Sequence, residues 1–167
     1  VGKDDSRGLM SVYPGRLVVR YIEGARVEQI QPAGVDLTVN EIYEFSRRGI
    51  ISIEGVELPQ YRLKEFENGR YVLKPGAYLV RFGEIIKVPS DCVGIFLPRS
   101  SLLRMGATIQ SALWDPGYEG RGVGLLIVMN PQGIVLEKGA RIAQFILMKM
   151  VEPPERVYCG SYQREGM

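Results

Sequence analysis

The sequence predicts an all-β fold: a distorted barrel or jelly roll of mostly antiparallel strands, with at most one or two short helices. Three observations predict it. Short runs rich in Val, Ile, Leu and Phe recur at spacings of about 8 to 12 residues with Gly and Pro between them. Helical periodicity is hard to find anywhere in the 167 residues. Several runs, notably VGLLIVMN (Val123 to Asn130), are apolar on both faces, as suits a strand covered by a second sheet or by another subunit. A chain of this length makes one domain, residues 1–167, with a core that needs neither disulfide nor structural metal.

In chain order, strands are predicted at Arg16–Ile22, Val35–Val39, Ile50–Glu54, Ala77–Phe82 and Glu84–Pro89. Four more follow at Cys92–Leu97, Ala107–Trp114, Val123–Asn130 and Arg141–Met150. The connections KPGAY, VPSD, NPQG and EKGA supply what turns require, a preset φ or a side chain that bonds the backbone. One short helix is predicted at SSLLRMG, Ser100 to Gly106, with Ser100 as its N-cap and Gly106 as its stop. The polar stretch Glu57 to Tyr71 reads as an excursion from the barrel. The tail from Pro153 has two prolines and little core material, so it is expected to run over the surface.

Composition excludes several function classes. With 21 Lys and Arg against 19 Asp and Glu the formal charge is +2, so no global basic field points to nucleic acid. Histidine is absent, which removes a Ser-His-Asp triad, a Cys-His dyad and any zinc site that needs an imidazole. Cys92 and Cys159 form no CxxC pair and read as idle thiols. No apolar run reaches the roughly 18 residues of a membrane span and no signal peptide is visible. A soluble cytoplasmic protein with no membrane partner is the default expectation.

Five stretches carry groups capable of chemistry. In LPRSSLLRMG, Arg99, Ser100, Ser101 and Arg104 offer forked cations and hydroxyls that match a di- or triphosphate; an ordinary solvated helix start explains them as well. In SALWDPGYEG, Asp115 follows an apolar run inside a Pro-Gly turn with Tyr118 three residues on. Such a carboxylate either caps its turn or serves as a general base toward water, with the aromatic ring packed on a sugar. Asp36 in QPAGVDLTV and Gln144 in ARIAQFIL sit within apolar runs, where a polar group is costly unless it is partnered. Asp36 is read as paired or as bonded to a hydrated metal, and Gln144 as satisfying backbone groups or a phosphate. Tyr158, Tyr162, Gln163 and Arg164 lie on a Gly-containing tail that either folds over a ligand or stays disordered.

Taken together, QPAGVDLTV, PRSSLLRMG, ALWDPGYEG, GARIAQFIL and YCGSYQ resemble, in order and spacing, the motif series of the dUTPase and dCTP deaminase superfamily, over the chain from about Gln31 to its end. The resemblance implies a dUTPase-like fold, a homotrimer with shared active sites, deoxyribonucleoside triphosphate substrates (dUTP, with dCTP as the alternative) and Mg²⁺. It implies that Arg99, Ser100 and Gln144 bind phosphate, with Ser101 beside them, and that Arg104 matches the phosphate-facing arginine of the deaminase branch. Asp36 matches the aspartate that organises the hydrated Mg²⁺ indirectly, through water. Asp115 matches the carboxylate that activates water, and Tyr118 the aromatic that packs on deoxyribose. The backbone of Ile109, Gln110 and Ser111 falls where the base is read. Tyr158, Tyr162 and Gln163 fall in the segment, residues 153–167, that closes over the nucleotide in the deaminase branch.

The departures separate the branches. The deaminase branch has a glutamate on the strand after the DPG turn, whereas VGLLIVMN has no carboxylate, and Leu113 and Trp114 stand where that branch has an arginine. Leu126, Ile127 and Val128 cannot move protons to and from a base. Glu119 is the nearest spare carboxylate. The tail also lacks the Gly-rich, Phe-containing final motif of ordinary dUTPases. The expectation is therefore a Mg²⁺-dependent dUTP diphosphatase, closest to the archaeal-type dUTPases but with a deaminase-like tail. A dCTP deaminase or a bifunctional enzyme is the alternative, and a non-catalytic nucleotide-binding trimer is the reading from outside enzymology.

Overall fold

The structure, a computed structural model, describes residues 11–167. Its strands are β1 (Ile22–Glu23), β2 (Ile30–Gln31), β3 (Gly34–Phe45), β4 (Ile50–Ser52), β5 (Gly55–Glu57), β6 (Tyr61–Leu63), β7 (Arg70–Leu73) and β8 (Gly76–Phe82). They continue with β9 (Ile85–Lys87), β10 (Cys92–Pro98), β11 (Ala107–Gln110), β12 (Glu119–Gly120), β13 (Val123–Val128), β14 (Ile134–Glu137) and β15 (Arg141–Lys149). Two short α-helices, α1 (Gly15–Val18) and α2 (Ser100–Arg104), and two single 3-10 turns, Val19–Tyr21 and Val27–Gln29, complete the set.

The main sheet runs β10-β15-β3-β8-β13-β11, with β2 and β6 also paired to β3, and every ladder is antiparallel. Its two ends approach each other. Gly94 of β10 and Trp114 exchange backbone hydrogen bonds of 2.9 and 2.8 Å, and Phe96 N–H donates to Ser111 Oγ at 3.3 Å, so the sheet is nearly closed into a barrel. The inward positions fill it: Phe82, Phe96 and Phe145 pack with Leu37, Ile109, Leu126 and Leu147, all buried. The alternation that places them inside puts their chain neighbours on the outer face, where several, such as Val93, Ile95, Leu125 and Ile127, are apolar and half-buried.

The strand predicted over Arg16–Ile22 is helical up to Tyr21, with only Ile22 entering a strand. Pro14 sets the conformation, because its fixed φ of −65° precedes α1 and its carbonyl accepts from Leu17 and Val18 N–H at 2.8 and 3.2 Å. Local capping here outweighs the β preference of Leu17, Val18 and Val19. The strand predicted over Ala107–Trp114 ends at Gln110, because the chain then crosses to bridge Gly94 at the opposite end of the sheet. The excursion is displaced as well. Tyr61 to Leu63 pair with β3, and the segment that leaves the barrel is the exposed hairpin of β4 and β5. VGLLIVMN is not buried on both sides, since Gly124, Leu126 and Val128 point inward while Val123, Leu125 and Ile127 are half-buried outside. Helix α2 begins at Ser100, with Arg99 rather than Ser100 at its N-cap.

Candidate active site

Strands β10, β15 and β3 lie side by side, and their register puts Leu97 opposite Gln144 and Gln144 opposite Asp36. Cross-strand neighbours share a face, so Gln144 and Asp36 lie together. Arg99, two residues past Leu97, reaches the same place. Its Nε pairs with Asp36 Oδ2 at 3.1 Å, and Arg141 Nη1 approaches the same oxygen at 3.4 Å. Gln31 Nε2 donates to it as well, at 3.1 Å. The Asp36 side chain is 0 % exposed, and its Oδ1 is buried with no hydrogen-bond partner. Burial pushes its carboxyl above the ordinary range, against the pull of Arg99, Arg141 and the Gln31 amide. Ser100, Ser101 and Arg104 are exposed on α2, and Arg104 Nη1 donates to the Ser100 carbonyl at 3.3 Å.

A second set of residues forms around the Asp115 turn. Tyr118 N–H donates to the Asp115 carbonyl at 3.1 Å, with Pro116 and Gly117 between them and Gly117 at φ +84°. This is the Pro-then-Gly sequence that a type II turn requires. The turn is pinned from both sides. Trp114 is held by Gly94, Gly117 N–H donates to the Val88 carbonyl at 3.0 Å, and Val88 N–H donates to the Tyr118 carbonyl at 2.8 Å. A Cβ on Gly122 would collide with the Trp114 ring, so glycine there seats the indole. Asp115 is exposed at the rim of a cleft of about 430 Å³, with Trp114 and Tyr118 inside it, Leu58 and Tyr61 on one wall and Tyr158 and Tyr162 on another.

Tyr118 is only 8 % exposed. Its ring meets Trp114 edge-on at 5.0 Å and Tyr158 at 5.7 Å, and burial pushes its hydroxyl pKa strongly upward. The tail runs along the turn and the strand after it. Tyr158 N–H donates to the Pro116 carbonyl at 2.7 Å and Arg164 N–H to the Glu119 carbonyl at 2.7 Å. Gln163 Nε2 donates to the Gly117 carbonyl at 3.0 Å, while its Oε1 accepts from Glu119 N–H at 3.1 Å. Farther along the barrel end, the Ile109 side chain is core, Gln110 is exposed, and Ser111 Oγ donates to the Ala112 carbonyl at 2.5 Å.

The structure thus brings Arg99, Gln144 and Asp36 together, and separately Asp115, Tyr118, Tyr158 and Tyr162. The two clefts that Asp115 borders contain none of Arg99, Ser100, Ser101, Arg104 or Gln144. Sequence reasoning missed Arg141, although it sits three residues before Gln144. It also missed Glu84, 3 % exposed, whose Oε1 accepts from Gln29 Nε2 at 2.8 Å and Thr38 Oγ1 at 2.7 Å and whose Oε2 accepts from Thr38 N–H at 2.9 Å. Gln29 Nε2 also donates to the Asp36 carbonyl at 2.8 Å, so this network anchors the Asp36 strand. Nothing in the sequence signalled it, because its members are far apart along the chain.

Fold and site together define a class: a nearly closed antiparallel β barrel with an arginine–serine turn beside a buried aspartate, and an aromatic cleft with a carboxylate at its rim. A dCTP deaminase-like family model matches residues 13–150, and the chain belongs to that family. It is 44% identical over 146 residues to the probable deoxyuridine 5'-triphosphate nucleotidohydrolase of Aeropyrum pernix, covering 87% of this chain and 92% of that protein. It is 41% identical over 147 residues to the deoxyuridine 5'-triphosphate nucleotidohydrolase of Methanocaldococcus jannaschii, covering 86% and 92%. Among solved structures, the 2'-deoxycytidine 5'-triphosphate deaminase of Agrobacterium tumefaciens matches with a TM-score of 0.65 at 15% identity, over 87% of this chain and 50% of that one. The EIAV dUTPase matches at 0.51 and 19%, over 84% and 92%. These two likenesses are of fold.

Proposed function

We propose that this protein is a dUTP diphosphatase, converting dUTP and water to dUMP and pyrophosphate with Mg²⁺, as a homotrimer whose sites are shared between chains. The observation that carries the reading is the Asp115 turn: an exposed carboxylate, rigidly held, at the rim of an aromatic cleft, with no carboxylate on the barrel strand β13 that follows the short β12. Relatives named as deoxyuridine triphosphate nucleotidohydrolases over most of their length support the substrate.

In this reading Asp115 accepts a proton from the water that attacks the α-phosphorus, and the bond to the pyrophosphate oxygen breaks as the new P–O bond forms. Arg99, Ser100, Ser101, Arg104 and Gln144 hold the phosphate chain. The backbone of Ile109 to Ser111, on the last strand of the sheet path, reads the base and rejects cytosine, whose exchanged amino group leaves partners unmet. Tyr118, with Tyr158, Tyr162 and Gln163 from the tail segment 153–167, forms the sugar side. No group of three or more acidic, Cys or His side chains able to hold a metal occurs among the described residues, so the chain offers no metal cage. The unpartnered, buried Asp36 Oδ1 suits an indirect contact through a metal-bound water, and Mg²⁺ when bound neutralises charge on the triphosphate.

The separation of the Arg99 group from the Asp115 clefts supports a site completed by a neighbouring chain. The deaminase alternative is favoured by the family model, and one experiment decides between them. The protein is incubated with dUTP, dCTP, dTTP or UTP, with Mg²⁺ or with excess chelator, and the products are resolved by chromatography. dUMP and pyrophosphate from dUTP alone, lost with chelator, are expected. Ammonia or a uracil nucleotide from dCTP would transfer the assignment to deamination, and inactivity on all four to a nucleotide-binding scaffold.

A further inference from the structure

Strand β15 contains one irregularity, and it lies at the candidate phosphate site. Phe145, Gln144 and Ala143 pair in regular register with Val35, Asp36 and Leu37, but Thr38 is then met by Arg141 rather than Ile142. Ile142 is the extra residue of a β-bulge. Because side chains alternate, one extra residue changes the face on which everything before it falls. In unbroken register Arg141 would oppose Val39, whose side chain is core. The bulge instead puts it opposite Thr38, on the face of Asp36, and there its Nη1 meets Asp36 Oδ2 at 3.4 Å and donates to the Glu28 carbonyl at 2.5 Å.

The same bulge holds Arg99. Arg99 N–H donates to the Ile142 carbonyl at 2.9 Å, and Arg99 Nη1 donates to the Arg141 carbonyl at 3.4 Å. Its Nε is taken by Asp36, the carboxylate that Arg141 also engages. Two contacts therefore fix the Arg99 guanidinium, Nη1 on the Arg141 carbonyl and Nε on the carboxylate that Arg141 also engages, while the backbone bond to Ile142 anchors its main chain, and Nη2 has no hydrogen bond among the described residues. A planar fork held at two nitrogens presents its remaining donor in one direction.

We propose that Arg141 is a positioning residue for the phosphate site: through Asp36 and through its own carbonyl at the bulge it fixes the Arg99 guanidinium in the orientation that receives substrate. The inference rests on the reading of Arg99 as a phosphate ligand. Arg141 Nη1 alone faces both the Glu28 carbonyl and the Asp36 carboxylate, and it is carried on a planar, rigid guanidinium whose placement the flexible ammonium of a lysine does not reproduce.

The test uses the full chain, with dUTP hydrolysis and competitive inhibition by inorganic pyrophosphate measured for Arg99→Gln, Arg141→Gln, the double variant and Arg141→Lys. Arg141→Gln is expected to raise KM and the pyrophosphate inhibition constant about tenfold with kcat changed less, because the lost charge-assisted geometry is a binding term. In the Arg99→Gln background the same change is expected to have no further effect, since residues acting in series are not additive. Arg141→Lys, which keeps a cation beside Asp36, tests the role if the glutamine variant does not fold, and is expected to raise both constants about threefold. Wild-type constants in folded Arg141→Gln, or in Arg141→Lys where the glutamine variant does not fold, would overturn the proposal, as would effects that multiply in the double variant. Wild-type pyrophosphate inhibition in Arg99→Gln would instead show that the phosphate-site reading itself fails, and the inference with it.

Discussion

Asp115 is exposed on a turn held by Gly94 on one side and Val88 on the other, so its carboxylate contributes nothing to the packing of that turn. Asp115→Asn is therefore expected to leave the melting temperature within a degree or two of the parent and to lower kcat roughly 100-fold, since an amide cannot take the proton. Calorimetry and steady-state assays check both halves, and unchanged turnover would remove Asp115 as the base. The residue scale is also where the sequence was most legible. Asp36 drew attention because an ionised group inside an apolar run must have partners, and the structure supplies two arginines and an amide. Arg141 escaped notice for an equally physical reason. Its face depends on a one-residue bulge, and the alternation visible in the sequence assigns it to the other side.

At the scale of elements, strand positions were readable from apolar runs and turn residues, but the partners were not. Ala107–Trp114 and Arg16–Ile22 were misjudged where a crossing and a proline decided the local conformation. The tail was legible as polar, yet nothing in its composition revealed that it lies along residues 116–121 with Glu165 partly buried against Arg81. Burial holds the Glu165 carboxyl above its ordinary 4.5 even though the nearby Arg81 favours ionisation. A carboxyl whose pKa is higher when the tail is docked takes up a proton on docking. Docking should accordingly strengthen as pH falls from neutrality through that raised value, and the gain should level off below 4.5. Trp114, the single tryptophan, touches Tyr118, which in turn touches Tyr158, so its fluorescence reports the docked state. The signal is expected to titrate in the intact chain and to stay flat in Glu165→Gln; a titration unaffected by that substitution would assign the change to another group.

At the scale of the whole molecule, one chain carries a cation-bearing face around Arg99 and Arg141 and a carboxylate-bearing cleft at Asp115 that do not share a wall. The outer face of β13, with Val123, Leu125 and Ile127 half-buried, offers a neighbouring chain an apolar surface of the kind the sequence had already marked in VGLLIVMN. If the site closes only between chains, each Asp115 works with the Arg99 of a neighbour around a cyclic assembly. At a substrate level well below the KM of Arg99→Gln, Asp115→Asn and Arg99→Gln chains are then each strongly impaired alone but complementary together. In an equal mixture, unfolded and reassembled, a site is intact only when its Asp115 comes from an Arg99→Gln chain and its Arg99 from an Asp115→Asn chain, so about a quarter of parental activity is expected to return. Mixing without exchange should return none. Activity that stays at the level of the single variants after exchange, with a trimer confirmed by light scattering, would mean that Asp115 and Arg99 serve the same substrate within one chain, and the tail or the β4–β5 hairpin would have to move to unite them.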